Sequence, residues 1–382
     1  MQLIFGIILG LLILVILVVV HELGHAVIAR RNGVVVEEFG IGFPPRVWAK
    51  KLKNGVLFSL NWLPLGGFVK LQGEHDNASK KGDYGASGYW AKTRILLAGV
   101  VINWLVAALL LTGLAWTGLP KILPNQFSMP GDTILSEKPV EIVEVAKNSP
   151  AETAGLKVGD QILRFSGESV PTSAALADQS KSKKGQNVEI IYSRDGVERT
   201  TRVQLRADDQ NGQGYLGVGS GQQELIHASW SAPVVGVVTT GQFTIVTLQG
   251  LGNLLGNLVS GVVLQFSPDA TVRTQAHQDL GAASSSVAGP VGILGTIFPA
   301  AEQAGPTQLI FLTAIISLTL SVMNVLPIPA LDGGRWFVMT IYRLRKKTLT
   351  KEREERIQGT GFLILMALVI VVTIADVSKL FK

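Results

Sequence analysis

Four stretches of the sequence, residues 3–29, 95–119, 309–331 and 359–375, are apolar for long enough to cross a bilayer, which takes about 20 such residues. The first opens on Leu3 to Val20 without a charge. A further uncharged stretch, 232–266, is interrupted by Thr239, Thr240, Gln242, Thr244, Gln249, Asn253 and Asn257. That pattern predicts helices lying on or dipping into the outer leaflet rather than a span. Between the second and third spans the period changes. Residues 140–205 read as short strands, with Ser149 placed to cap a short helix and Arg194-Asp195-Gly196 as a hairpin turn between strands 187–193 and 198–205.

Charge orients these spans. Segment 30–94 is strongly basic, and so is the loop from Arg343 to Arg356, whereas acids slightly outnumber bases over 120–306. The positive-inside rule makes both basic loops cytoplasmic and leaves both termini and the long middle section outside. Had 232–266 crossed once, every later segment would invert. The N-terminal run lacks an early basic residue and a small-x-small cleavage site before His21, so it is expected to be retained. A net charge of +6 would suit nucleic acid, but the bases flank apolar spans, so no nucleic-acid partner is expected and the bilayer is. With 47% hydrophobic residues, 16% charged and a mean hydropathy of +0.35, one membrane domain with an insert fits better than several soluble domains.

The chemistry sits at the inner end of the first span, in His21-Glu22-Leu23-Gly24-His25. Histidines at i and i+4 share a helix face and can hold one Zn²⁺, with the glutamate as general base. Ionisable groups in a spanning helix cost about 2.5–3.5 kcal/mol each at its centre, which argues for a function. Without cysteine, a third ligand must come from His, Asp or Glu. His75, His227 and His277 lie in polar, loop-like sequence. Asp332, in Asn324-Val325-Leu326-Pro327-Ile328-Pro329-Ala330-Leu331-Asp332-Gly333-Gly334, ends the third span. The first and third spans both run inward, so Asp332 reaches the depth of His21 and His25. Asn324 either hydrogen-bonds substrate backbone or a developing oxyanion, or only satisfies a helix neighbour.

These motifs carry two resemblances. The run Ser149-Pro150-Ala151, Ala154-Gly155-Leu156 and Gly159-Asp160-Gln161-Ile162-Leu163 is similar to a PDZ domain of bacterial envelope proteases. HExxH together with N-x-x-P-x-P-x-L-D-G resembles the site-2 proteases, and among them the regulator-of-sigma-E proteases. Leu63 to Glu74 resembles that subgroup's membrane-dipping β-hairpin, as Gly289 to Ile293 resembles its segment before the third span. One PDZ domain is legible here, where many such relatives carry a tandem. The resemblance implies a polytopic α-helical membrane protein of about four transmembrane helices, with a membrane-associated β-hairpin and an inserted β-rich PDZ domain. Its parts are a membrane core with the HExxH helix (1–119), a PDZ domain with its lead-in (120–225), a membrane-associated helical linker (226–306) and a second membrane core (307–382).

It further implies a zinc intramembrane protease of the inner, cytoplasmic membrane, with the PDZ domain outside. His21, His25 and Asp332 would hold Zn²⁺, Glu22 would be the base, and Asn324 would bind substrate. Leu65, Gly66 and Gly67 would offer a strand edge to an unwound substrate. Substrates would be single-span proteins already trimmed outside, such as anti-sigma factors and remnant signal peptides, cut in regulated intramembrane proteolysis. The PDZ domain would bind a peptide C-terminus or exclude bulky ectodomains. Two other readings use the same residues differently. A non-proteolytic scaffold would not need Glu22, and a metal transporter is poorly served by a closed three-ligand site.

Overall fold

The computed structural model describes residues 2–194, 196–209, 213–285 and 289–380, without the side chains of residues 2, 64, 65, 270, 283–285, 375 and 378–380. The chain divides into two compact units, Met1–Leu114 with Ala232–Lys382, and Ala115–Ser231.

In the first unit, α1 (Gln2–Arg31) is a single helix, the one way a lone apolar segment satisfies its own backbone in hydrocarbon. It stops where Gly33 takes φ +81°, with Arg30 and Arg31 on the negative end of its dipole. Strands β1 (Val36–Lys51) and β2 (Leu57–Leu71) come next. They are longer than the hairpin expected around 63–74, and both bend sharply. Residues 57–60 are bracketed between 38–41 and 48–51, while 67–71 pair with 36–41 and form an edge. Helix α2 (Tyr89–Leu96) is separated at Leu97 from α3 (Ala98–Thr117). Ala26, Ala29, Val34, Leu71, Tyr84, Ile95 and Leu96 are buried together and join α1, the strands and α2.

The second unit contains β3 (Leu119–Pro120), β4 (Ile134–Glu137), β5 (Val140–Val145), α4 (Pro150–Thr153), β6 (Gln161–Phe165), β7 (Glu168–Ser169), α5 (Ser173–Ser182), β8 (Asn187–Arg194), β9 (Val197–Gln204), β10 (Val218–Gly221) and β11 (Glu224–His227). Its main sheet runs β10-β5-β6-β8-β9 with β7 beside β6, and β3-β11-β4 form a small second sheet. Val188, Ile190 and Tyr192 alternate inward from β8 onto Phe165 and Leu176. Ser149 Oγ accepts from Glu152 N at 3.1 Å, the cap that the sequence suggests. Asp195, in the expected turn, lies outside the described residues. Asp132 accepts hydrogen bonds from the Ser229 and Ser231 hydroxyls, and these, with backbone N–H groups, lower its pKa to about 2.

The first unit resumes with α6 (Ala232–Gln265), α7 (Ala270–Ser285), α8 (Pro290–Gly292), a π-helical turn (Ile293–Ile297), α9 (Phe298–Gln303), α10 (Pro306–Val325), α11 (Asp332–Leu344) and α12 (Lys351–Leu380). Among the described residues five helices are long and apolar enough to cross a membrane, one more than the four expected. The addition is α6, a continuous helix where surface-lying helices were expected. Its polar residues weigh less than their side chains suggest. Thr240, Thr244 and Thr247 each donate to the carbonyl four residues back, at 2.7, 2.7 and 2.8 Å, and Trp104 Nε1 donates to Thr244 Oγ1 at 3.1 Å. Helix α7 then doubles back along α6, where Ser260 Oγ donates to Asp279 Oδ2 at 2.6 Å. The return leads to α9 against the N-terminal half of α1. A Cβ on Gly6 or Gly10 would come within 2.7 Å of Pro299 or 2.5 Å of Phe298, a small-xxx-small contact. Helix α10 therefore starts where α1 starts, and the two run parallel. It is pinned to α3 by Ser317 Oγ on Asn103 O (2.9 Å) and Ser321 Oγ on Val100 O (2.8 Å).

Candidate metal centre

Helix α1 carries His21 and His25 one turn apart, both buried, with ring centroids 4.8 Å apart. Asp332 comes from a differently built element than the sequence suggests. The expected third span to 331 stops at Val325, because Leu326 precedes Pro327 and turns extended. Residues 326–331 form a tight turn, and Asp332 opens the separate helix α11. Gly333 and Gly334 are required there, since a Cβ would lie 2.1 Å from Val325 O and 1.9 Å from Ile328 O respectively. His21 Nε2 lies 3.0 Å and His25 Nε2 3.2 Å from Asp332 Oδ2, and the two Nε2 atoms are 3.1 Å apart. One ligand atom from each residue lies within 4.8 Å of the others.

This donor set fits Zn²⁺. Two imidazoles and a carboxylate converge, leaving a position for water. His25 Nδ1 donates to Ile95 O at 2.7 Å, which leaves Nε2 its lone pair. The buried Asn103 amide lies 3.4 Å from His21 Nδ1, and its Oδ1 has no partner. Turned end for end, that amide presents Oδ1 to a His21 Nδ1–H, which satisfies the orphaned oxygen and frees His21 Nε2 as well. Both imidazoles are thus set for a cation between them and Asp332.

The glutamate lies on another face of α1. The backbone of Val69 in β2 faces the Glu22 carboxylate, and a Cβ on Gly67 would lie 3.3 Å from Glu22 Cγ. Gly66 takes φ +131° beside Phe43. Leu65 lies in the same strand, its side chain outside the described residues. Asn324 is not brought to the cluster by any described hydrogen bond. Its Nδ2 donates to Leu320 O at 3.0 Å within its own helix. His75 lies 3.6 Å from Glu355, and His227 is 2.8 Å from Ser136.

Three supporting residues carry no signal in the sequence: Asn103, Gly99 and Arg335. A Cβ on Gly99 would lie 2.5 Å from both His21 Nε2 and His25 Nε2. Gly99→Ala is therefore expected to purify with sub-stoichiometric zinc and unchanged helix content, read by metal analysis and circular dichroism. Full zinc in that variant would show that the imidazoles have room to retreat. Arg335, one turn beyond Asp332, contacts Glu74 and Glu354 at 3.1 Å each and stacks over Tyr84. Burial disfavours its charge, but Tyr84, Glu74 and Glu354 outweigh that and raise its pKa further. With Asp332 and His75 it lines a cavity of about 750 Å³.

The sequence model of peptidase family M50 matches residues 9–368. A Clostridium perfringens protein, provisionally named a zinc metalloprotease, is 30% identical over 94% of this chain and 95% of its own. Zinc metalloprotease RasP of Shouchella clausii is 27% identical over 96% of this chain and 97% of its own. A solved PDZ domain of the SdrC-like protein from Listeria monocytogenes is 25% identical, covering 25% of this chain and 93% of that one, with a TM-score of 0.20.

Proposed function

The chain belongs to peptidase family M50 and is a site-2-type zinc metalloprotease of a membrane, and from that premise we propose that it hydrolyses peptide bonds within transmembrane segments of single-span proteins. The observation that carries this is the meeting of His21 and His25, on a helix of spanning character, with Asp332, seven residues past the end of another, and with Glu22 beside β2.

In this reading His21, His25 and Asp332 hold the metal. Zn²⁺, when bound, supplies a Lewis acid that polarises the scissile carbonyl and acidifies water. Glu22 takes the proton from the attacking water and returns it to the leaving amine. Asn103 and Ile95 O fix the two imidazoles. A helical substrate shields its peptide bonds and must unwind before attack. The edge of β2 around Leu65, Gly66 and Gly67 would replace the lost backbone hydrogen bonds by strand addition. Asn324, bonded within its own helix, would have to turn to reach substrate.

By the positive-inside rule the basic ends of α1 and α11 favour a metal site towards the cytoplasm, and in this reading unit 115–231 is extracytoplasmic and the membrane is the inner one. There that unit, read as a PDZ domain, would bind a peptide C-terminus or exclude large ectodomains. Anti-sigma factors and remnant signal peptides suit such a site, and the role would be regulated intramembrane proteolysis.

The test is cleavage of a tagged single-span substrate by the full chain in liposomes, with the cut mapped by mass spectrometry. Cleavage within the span, slowed when Gly and Ser of that span become Leu, is expected. Cuts confined to the substrate's soluble ends would overturn the reading.

A further inference from the structure

Away from the metal, α1 and the α2–α3 junction enclose an apolar groove of about 600 Å³. Val20, Leu23 and Val27 line it from α1, and Val101, Ile102 and Leu105 from α3. Leu23, Val101 and Leu105 are about half exposed. At about 100° per residue, the midline of the α1 positions on this groove lies roughly opposite Glu22. A substrate held there would have its backbone on the wrong side of α1 for the base.

Charge is confined to one end of the groove. Arg31, in the last turn of α1, and Arg94, just before α3, both line it and are exposed. Neither is in an ion pair among the described residues. Arg94 Nε donates to Trp90 O at 3.2 Å, and Trp90 is 71% exposed, the placement of a residue at a membrane interface. From Arg31 to Val20, and from Arg94 to Leu105, the helices rise about 16 Å, roughly half the hydrocarbon thickness and so one leaflet. The groove thus offers cations at headgroup level and apolar walls to the depth of one acyl chain.

We propose that this groove binds one anionic phospholipid, its phosphate between Arg31 and Arg94 and one acyl chain between α1 and α3. Basic pockets between helices at the cytoplasmic face suit anionic headgroups. A bound chain would also brace α1 against α3, whose Gly24–Ala98 contact leaves no room for a Cβ.

The experiment places the full chain in phosphatidylcholine vesicles containing a trace of lipid with a photoactivatable acyl chain. That lipid is either phosphatidylglycerol or phosphatidylcholine, and cross-links are mapped by mass spectrometry. Phosphatidylglycerol is expected to label the peptides around Leu23–Val27 and Val101–Leu105 roughly tenfold more than phosphatidylcholine. Arg31→Gln with Arg94→Gln is expected to erase the preference, and the paired Lys variants to retain it, with zinc content unchanged in all. Equal labelling of the wild type by the two lipids would overturn the proposal without needing any variant. So would an undiminished preference in the double Gln variant. Displacement of the lipid by a single-span peptide that itself cross-links to Val101 would instead assign the groove to a transmembrane segment.

Discussion

Glu22→Gln is expected to purify with a full complement of zinc and to cleave a single-span substrate about 10²–10⁴-fold more slowly than the wild type, the range a positioned general base contributes. That corresponds to about 3–5 kcal/mol of transition-state stabilisation. The separation of metal from activity stems from geometry. His21, His25 and Asp332 converge without Glu22, and the glutamate instead meets β2 at Val69. Glutamine keeps the size and the ability to hydrogen-bond, but it cannot take a proton. Metal analysis and a single-turnover cleavage assay on the same sample distinguish the outcomes. Zinc retained with activity lost supports the assignment. Undiminished cleavage would move the base elsewhere and remove the reason for a carboxylate in α1.

The second large effect is on stability. Arg335→Met is expected to destabilise the first unit by about 3–5 kcal/mol, the cost of stripping one partner from a buried ion pair. The Glu354 side chain is 5% exposed and keeps only the Asp76 N–H, 2.9 Å from its Oε2. Glu74, 40% exposed, regains water and contributes less. Thermal unfolding in detergent, followed by circular dichroism, reads the loss. Adding Glu354→Leu to Arg335→Met is expected to recover much of it, since apolar replacement of a whole buried pair is often neutral. A single variant as stable as the wild type would mean that water already reaches the Arg335 cluster through the adjoining cavity.

The cluster of His21, His25 and Asp332 was legible because its constraints are local or topological. His21 and His25 are fixed by helix periodicity, and Asp332 by the requirement that two parallel spans bring their polar ends to one depth. The supporting contacts were not legible. Asn103 and Gly99 matter only through the register in which α3 backs onto α1, and nothing within their own span distinguishes them. That α6 is one continuous helix was less legible, because composition counts a threonine hydroxyl as polar, whereas Thr240, Thr244 and Thr247 return theirs to their own helix. A crossing by α6 alone would have inverted α10 and α12. The antiparallel α7 restores the direction, so Asp332 still reaches the histidines. Asn324 shows the opposite limit. Its position in a motif is clear from sequence, but its hydrogen bond to Leu320 O belongs to the helix.

The second unit begins and ends almost at one point. Ala228 N donates to Ala115 O at 2.7 Å, and β3 pairs with β11 just beyond. On the membrane side the flanking helices already touch, Gly236 lying against Thr112. In evolutionary terms the insert is a cassette on a closed stem. Loops whose ends meet are where whole domains are gained, lost or exchanged at small cost to their host. A lineage can therefore exchange the whole second unit while leaving intact the geometry that gathers His21, His25 and Asp332.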